Sequence, residues 1–381
     1  MKKPHILVLF SDTGGGHRSA SEAIIEALGL EFGDSVSAEM VDFFKDYAPI
    51  PFNKMPELYP KMVKAPRLWG AGFYATDGRA RARMLTAAFR PYGVRAAKKL
   101  LAGHPSDAIV TTHLGANSMG LWALGRNRTR RFITVVTDPV TTHALWFDKR
   151  ADLILVPTEY ARERAIEYHM PPEKVFVVGQ PVSDRYCAPP GDKRALREKL
   201  GWPQDKTIAL LIGGGDGMGP LERNAAAIDE SGLDLGLVIV AGRNEKLRKK
   251  FEARRWNIPT RVYGFTRDLP DFMRAADAVI TKAGPGTIAE ALIAGLPIIL
   301  NARLPGQEDG NVTFVQRERV GVWAPRSDRV VNALKKWIEN PEERERFAEN
   351  CRRAARPESA RLIARFIGSQ VGLCEEPLIT A

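Results

Sequence analysis

The chain has 381 residues, of which 44% are hydrophobic and 27% charged, and it carries a net charge of +11 at pH 7. Single cores stop growing near about 250–300 residues, so two domains are expected, and the composition excludes disordered and collagen-like classes. No apolar run approaches the roughly 18 residues of a membrane span, while the cationic surplus implies attraction to an anionic surface, nucleic acid and anionic lipid both being open at this point.

In chain order, Met1-Lys2-Lys3 precedes an apolar stretch from Ile6 to Phe10. That stretch is too short for the apolar core of a secretory leader and runs straight into Ser11-Asp12-Thr13-Gly14, so it reads as a buried first strand. Further strands are expected at Val36–Val41, Ala108–Thr112, Phe132–Val136 and Leu153–Val156, with helices such as Ser19–Leu28 and Thr158–Tyr168 between them. The second half repeats the alternation, with strands at Thr207–Ile212, Gly236–Val240, Thr260–Tyr263, Ala278–Ile280 and Pro297–Leu300. From Pro341 onward the chain is rich in Arg and Glu and reads as helical. Strands alternating with helices predict an α/β fold of parallel sheets with helices on both faces. The halves echo each other, since each opens with an apolar strand followed by three glycines, Gly14–Gly16 and Gly213–Gly215. Two doubly wound domains joined near Gly179–Gly191 are therefore expected, with ligands at the carboxyl ends of the strands.

Residues 50–100 stand apart. From Arg79 to Lys99 the sequence holds seven cations and no acid, and Phe52, Tyr59, Trp69, Phe73 and Tyr74 lie just upstream. Cations beside aromatic rings suit a bilayer interface, the alternative being that much of the segment is an ordinary solvated helix. The three cysteines, Cys187, Cys351 and Cys374, lie far apart without metal-ligand spacing, as expected in a reducing compartment.

Glycine loops between strand and helix let a backbone approach a phosphate at the positive end of the helix. Neither glycine triplet closes the G-x-G-x-x-G dinucleotide fingerprint, and no Walker A motif is present. The segment Thr281–Asn311 is more specific. There Gly284-Pro285-Gly286-Thr287 lies between a strand and a helix, so that Gly286 and Thr287 offer N–H groups to a diphosphate. Glu290 is placed in the first helical turn, where its carboxylate accepts two ribose hydroxyls or else forms a capping box with Thr287. Gln307, Glu308 and Asn311 form a polar run able to read sugar hydroxyls.

Taken with Ser11-Asp12-Thr13-Gly14-Gly15-Gly16-His17-Arg18, Thr134–Asp138, Trp146-Phe147, Gly213–Pro220 and Gly242-Arg243-Asn244, this segment resembles the monogalactosyldiacylglycerol synthase and processive diacylglycerol glycosyltransferase family, glycosyltransferase family 28. The resemblance covers nearly the whole chain. It implies a GT-B fold, in which two Rossmann-like domains face a central cleft. Residues 1–178 would bind the acceptor and associate with a membrane, and residues 179–381, including the C-terminal helices, would bind a UDP-sugar. It implies inverting transfer of a hexose, galactose before glucose, to diacylglycerol or a related lipid by a cytoplasmic enzyme peripheral to the inner face of the cell membrane. By position, Glu290 would hold the ribose, Gly284, Gly286 and Thr287 would face the diphosphate, Gln307, Glu308 and Asn311 would contact the hexose, and Phe265 would lie beside the uracil. Gly15, Gly16, Pro51, Trp146, Gly214, Gly215 and Arg243 are further substrate-contacting positions on the same ground. One departure stands out: relatives carry Gly-x-Pro-Val-Arg where this chain has Gly179-Gln180-Pro181-Val182-Ser183, leaving Arg185 or Arg243 to support the donor phosphates.

Transfer to a hydroxyl needs a base. His17, following the first glycine loop, is the first candidate, with a pKa that the helix N-terminus is expected to lower. Asp138, at a strand end, is either the alternative base or the group that orients His17. No Asp-x-Asp pair occurs, so no metal and no other cofactor is expected. Three rival readings remain: a UDP-sugar 2-epimerase of the same architecture, a UDP-sugar-binding regulator without turnover and, on charge alone, a nucleic-acid-binding protein. The expected partners are the UDP-sugar, the lipid acceptor and an anionic membrane surface, and not nucleic acid.

Overall fold

The structure is a computed structural model that describes the whole chain except residues 1, 2, 14, 51, 64, 126, 127, 190, 216, 218 and 378–381. The chain divides into two compact units. The first comprises residues 1–184, 304–310 and 358–381, and the second residues 185–303 and 311–357.

The first unit is built on a six-stranded parallel sheet of order β2-β1-β3-β4-β5-β6. Its strands are β1 His5–Phe10, β2 Ser37–Asp42, β3 Ala108–Thr111, β4 Arg131–Val135, β5 Leu153–Val156 and β6 Val175–Val177. A sheet covered on both faces needs apolar residues pointing both ways, and β3 and β5 are buried at every position. Alternate residues of β1 feed different cores. Ile6 and Val8 join Ile24 and Leu28 of the first helix, Gly16–Phe32, whereas Leu7 and Leu9 join Leu100 and Trp146. Between β2 and β3 the chain inserts the helices Met55–Met62, Pro66–Thr76 and Arg79–Gly103.

The helix Ser359–Gln370 packs on this first sheet. Its Ile363, Phe366 and Ile367 are fully buried in the core that holds Ile24, and Gly368 allows close approach, since a Cβ there would lie 2.3 Å from Phe32. The sequence places everything from residue 179 onward in one domain. The unit boundary instead falls at 184/185, and residues 304–310 and 358–381 group with the first unit.

The second unit carries a parallel sheet of order β12-β11-β10-β7-β8-β9. Its strands are β7 Thr207–Ile212, β8 Leu235–Val240, β9 Thr260–Tyr263, β10 Ala278–Lys282, β11 Ile298–Ala302 and β12 Gly321–Trp323. Each sheet reverses its winding once, beside β1 and β3 in the first unit and beside β7 and β10 in the second. Ligands bind outside the carboxyl ends of strands at such reversals, and the glycine motifs follow three of these four strands.

Candidate active site

In the first unit, Gly15 adopts φ +78° and starts the helix Gly16–Phe32, whose N-terminus has no side-chain cap. A left-handed residue is cheapest as glycine, and a Cβ on Gly16 would meet nothing within 4 Å. His17 follows, only 9% exposed. Its Nδ1 lies 2.7 Å from the main-chain oxygen of Thr112 and 3.1 Å from the Thr137 hydroxyl. A carbonyl only accepts, so Nδ1 carries the proton and Nε2 keeps its lone pair. Burial pushes the His17 pKa down to about 4, against the raising effect of the Thr112 hydrogen bond. The helix N-terminus, expected to cause the depression, is not the principal cause.

Asp138 follows β4 and is 3% exposed. It accepts from the Trp146 indole at 2.7 Å and from the Gln307 amide at 3.3 Å. Burial lifts its pKa to about 6; those two hydrogen bonds oppose the rise and the Glu308 charge adds to it. Orientation of His17 falls to Thr112 and Thr137, and Asp138 holds other partners. Trp146, expected to contact substrate, is fully buried and acts on the site through its bond to Asp138. Glu308, also buried, closes its own turn by accepting the Leu304 N–H at 2.8 Å. One of its carboxylate oxygens is thus engaged within the turn. Pro51 lies outside the described residues.

These groups open onto a cavity of about 950 Å³ whose polar end holds His17, His113, Asp138, His143 and Gln307. The rest of the wall is mostly apolar, including Phe44, Leu58, Trp69, Leu85 and Phe89, with Thr13, Thr76, Thr86 and Ser118 among these residues. Leu68 and Tyr92, which also line it, are 75% and 60% exposed, and Met84 is 73% exposed. Arg79, Arg81, Arg83, Arg90, Arg95, Lys98 and Lys99 are all exposed on the same long helix.

In the second unit, Gly214 has φ +67° and Gly242 φ +60°. A Cβ on Gly242 would sit 2.5 Å from the Gly215 oxygen, which accepts from the Arg243 N–H at 2.8 Å. The loop after β7 is thus locked backbone-to-backbone to the loop after β8, while Gly215 itself leaves open space. The Arg243 guanidinium lies 5.4 Å over the ring of Phe265, which is 64% exposed.

The helix Pro285–Ile293 begins after Gly284 with Pro285 first and no side-chain cap. The first turn of a helix leaves its N–H groups without intrahelical acceptors, and the space beside Gly286 is open. Glu290 stands in the second turn, not the first, and forms no capping box with Thr287. The Tyr186 hydroxyl donates to it and the Arg185 charge lies close; burial nevertheless pushes its pKa up to about 7. Asn311 donates to the Ala283 carbonyl at 2.8 Å and so braces the residue before Gly284. Its buried Oδ1 has no partner among the described residues.

Residues 17–182 match the family model described as monogalactosyldiacylglycerol (MGDG) synthase, and residues 192–354 match glycosyl transferases group 1. A probable monogalactosyldiacylglycerol synthase 2, chloroplastic, of Oryza sativa subsp. indica is 36% identical, covering 93% of this chain and 78% of that one. Monogalactosyldiacylglycerol synthase 2, chloroplastic, of Arabidopsis thaliana shows the same identity over the same shares. This chain belongs to the monogalactosyldiacylglycerol synthase family. Among solved structures, the S. aureus MnaA–UDP co-structure aligns over 99% of this chain and 100% of that one with a TM-score of 0.66 at 16% identity. Acinetobacter baumannii MurG aligns over 96% and 99% with a TM-score of 0.63 at 16% identity. The fold is GT-B.

Sequence reasoning missed His113, which follows β3 as His17 follows β1. Their rings meet edge to face with centroids 4.7 Å apart. The available signal was topological, a polar residue at the carboxyl end of a strand flanking the reversal. His143 was missed as well; no glycine loop or recognisable spacing marks it.

Proposed function

We propose that this family member is an inverting hexosyltransferase that moves galactose, or alternatively glucose, from a UDP-sugar to the free hydroxyl of diacylglycerol at an anionic membrane surface. The carrying observation is a base of fixed tautomer, His17, opening onto a large apolar cavity. Each methylene moved from water into such a cavity contributes about 0.8 kcal/mol, so acyl chains suit it and a free sugar does not. No helix among the described residues is long and apolar enough to cross a membrane. The exposed cations and apolar side chains of residues 50–99 are the surface proposed to rest on lipid. The relatives named above are chloroplastic, and the cytoplasmic face of a cell membrane is proposed for this chain from its sequence alone.

In the proposed reaction the acceptor hydroxyl gives its proton to Nε2 of His17 as its oxygen attacks the anomeric carbon. The bond from that carbon to the UDP oxygen breaks on the opposite side, which inverts the centre. The second unit is assigned the UDP-sugar. N–H groups of Gly286 and Thr287 face the diphosphate at the helix N-terminus, with cationic support from Arg185 or Arg243. Glu290 takes the ribose, and Phe265 offers a ring to the base. Asp138 holds Gln307, which lines the acceptor cavity and is assigned to the sugar to be transferred. No metal is assigned to the leaving group.

The test is direct. Purified protein is incubated with diacylglycerol vesicles and with UDP-galactose or UDP-glucose, and the lipid product is identified. A monohexosyl glycerolipid supports the proposal. Free sugar released without lipid overturns it in favour of a 2-epimerase-like reaction, and UDP-sugar binding without any product overturns it in favour of a regulator.

A further inference from the structure

Three histidines line the acceptor cavity, and their hydrogen bonds fix three tautomers. His17 donates from Nδ1 to the Thr112 carbonyl, so its Nε2 accepts. His113 is the reverse: its Nδ1 accepts the Gly115 main-chain N–H at 3.1 Å, capping the helix Leu114–Leu124. A main-chain N–H only donates, so the proton of a neutral His113 sits on Nε2. Burial and the neighbouring His17 both hold its pKa well below the ordinary value, which keeps the ring neutral. His143 repeats this pattern, accepting the Leu145 N–H at 3.1 Å, but its Nε2 pairs with the Thr76 hydroxyl at 3.2 Å. Among the described residues, the Nε2 of His113 has only the Thr13 hydroxyl at 3.4 Å, beyond the usual hydrogen-bonding range. A donor thus faces the cavity beside the base with its capacity largely unspent.

We propose that His113 donates its Nε2–H to the ester carbonyl oxygen next to the reacting hydroxyl of the acceptor, and so selects ester-linked over ether-linked glycerolipids. This rests on the acceptor reading given above. A donor placed on the attacking oxygen itself would tie up the lone pair that attacks, so the compatible target is a neighbouring acceptor atom. In a diacylglycerol that atom is the carbonyl of the acyl ester on the adjacent carbon. A dialkylglycerol of equal chain length keeps the hydroxyl and the apolar bulk but lacks the carbonyl. It would leave the His113 N–H unpaired in a buried site, which is costly.

The experiment compares kcat/KM for a diacylglycerol and the matching dialkylglycerol in the same vesicles, for the wild type, His113→Asn and His113→Gln. An Asn amide reproduces the Nδ1 position and keeps the cap on Gly115, but does not reach as Nε2 does. A Gln amide reproduces the Nε2 donor and gives up the cap. The wild type is expected to prefer the ester lipid by about tenfold. His113→Asn is expected to lower that preference to near unity with little change on the ether lipid, and His113→Gln to retain most of it. A purely structural role predicts the opposite pattern, with His113→Gln impaired on both lipids and His113→Asn normal on both; that result overturns the assignment. Equal use of the two lipids by the wild type overturns it as well, independently of whether any variant folds. Absence of transfer to either lipid by the wild type would instead remove the acceptor reading on which the assignment stands.

Discussion

The Nδ1 atom of His17 lies 2.7 Å from the main-chain oxygen of Thr112, 95 positions further along the chain. That contact joins the loop after β1 to the end of β3 and fixes the tautomer that leaves Nε2 unprotonated. It also satisfies the buried N–H, while burial itself keeps the imidazole neutral.

A pH dependence of stability follows. The His17 pKa falls from 6.5 to about 4 on burial, so the unfolded chain binds a proton where the folded chain does not. Stability from this residue is complete above the unfolded pKa and is lost as pH falls from about 6.5 to about 4. The full loss is on the order of 3 kcal/mol. Asp138 and Glu290 act in the opposite sense, because their pKa values are raised to about 6 and about 7. Comparing wild type with His17→Gln cancels those contributions. The difference in melting temperature between pH 7.5 and pH 4.5 is expected to be larger for the wild type, and equal differences refute the assignment.

Glu290 gives a second expectation. Removing a hydrogen-bonding partner that is charged costs roughly 1.5–3 kcal/mol, so Glu290→Ala should weaken UDP binding by roughly 10- to 150-fold. Its pKa near 7 means that the ionised acceptor forms as pH rises. UDP affinity of the wild type, measured by calorimetry, should therefore increase more between pH 6 and pH 8 than that of Glu290→Ala. Unchanged affinity in the variant removes Glu290 from the donor site.

Ten of the strands were legible, most of them because they present at least four residues with apolar alternation or a continuous apolar run. The two missed strands, Val175–Val177 and Gly321–Trp323, have three residues each, too few for a period to show. The first helix starts at Gly16 rather than Ser19, since a glycine run reads as loop. His17 was legible from the loop it follows. Its partners were not, because a hydrogen bond to Thr112 or Thr137 spans 95 or 120 positions and leaves no local pattern. The same holds for Gln307 and Asp138, which meet across 169 positions. The helix Ser359–Gln370 joins the first unit partly through Arg361 and Arg365 on Glu31, a return that composition does not mark.

Membrane attachment is the third expectation. Replacing the exposed Arg81, Arg83 and Arg90 by Ser should weaken sedimentation with anionic vesicles by more than about tenfold, since each cation near such a surface adds attraction. Raising the salt should weaken the wild type more than the variant. Leu68→Ser and Met84→Ser, on the exposed apolar surface, should reduce binding to neutral vesicles as well. Unaltered sedimentation of the arginine variant would mean that the helix Arg79–Gly103 is simply solvated.

Turnover is expected to survive EDTA. The sequence has no Asp-x-Asp pair, and no group of three His, Cys, Asp or Glu side chains suited to hold a metal occurs among the described residues. Loss of activity on chelation, with recovery on adding Mg²⁺ or Mn²⁺, would show that an ion rather than the N–H groups of the helix Pro285–Ile293 stabilises departing UDP.

The identity of the base decides the mechanism. His17 offers an acceptor nitrogen at the polar end of the apolar cavity, and a positioned general base contributes about 10²–10⁴-fold. His17→Ala should lower turnover by that factor. UDP affinity should change little, because the proposed donor contacts lie in the other unit. Asp138 is the competitor. Its pKa of about 6 leaves it mostly ionised at pH 7, but its two oxygens already accept from Trp146 and Gln307. Asp138→Asn keeps a carbonyl for one of these donors and abolishes basicity. If Asp138 only positions Gln307, the Asn variant should lose less turnover than His17→Ala, with part of its defect in the donor KM. If Asp138 takes the proton, the order reverses, and His17→Ala weakens UDP binding instead through loss of a phosphate contact. Turnover and UDP affinity of both variants, measured at pH 7.5, distinguish these outcomes. Near-normal turnover in His17→Ala would exclude His17 as the base.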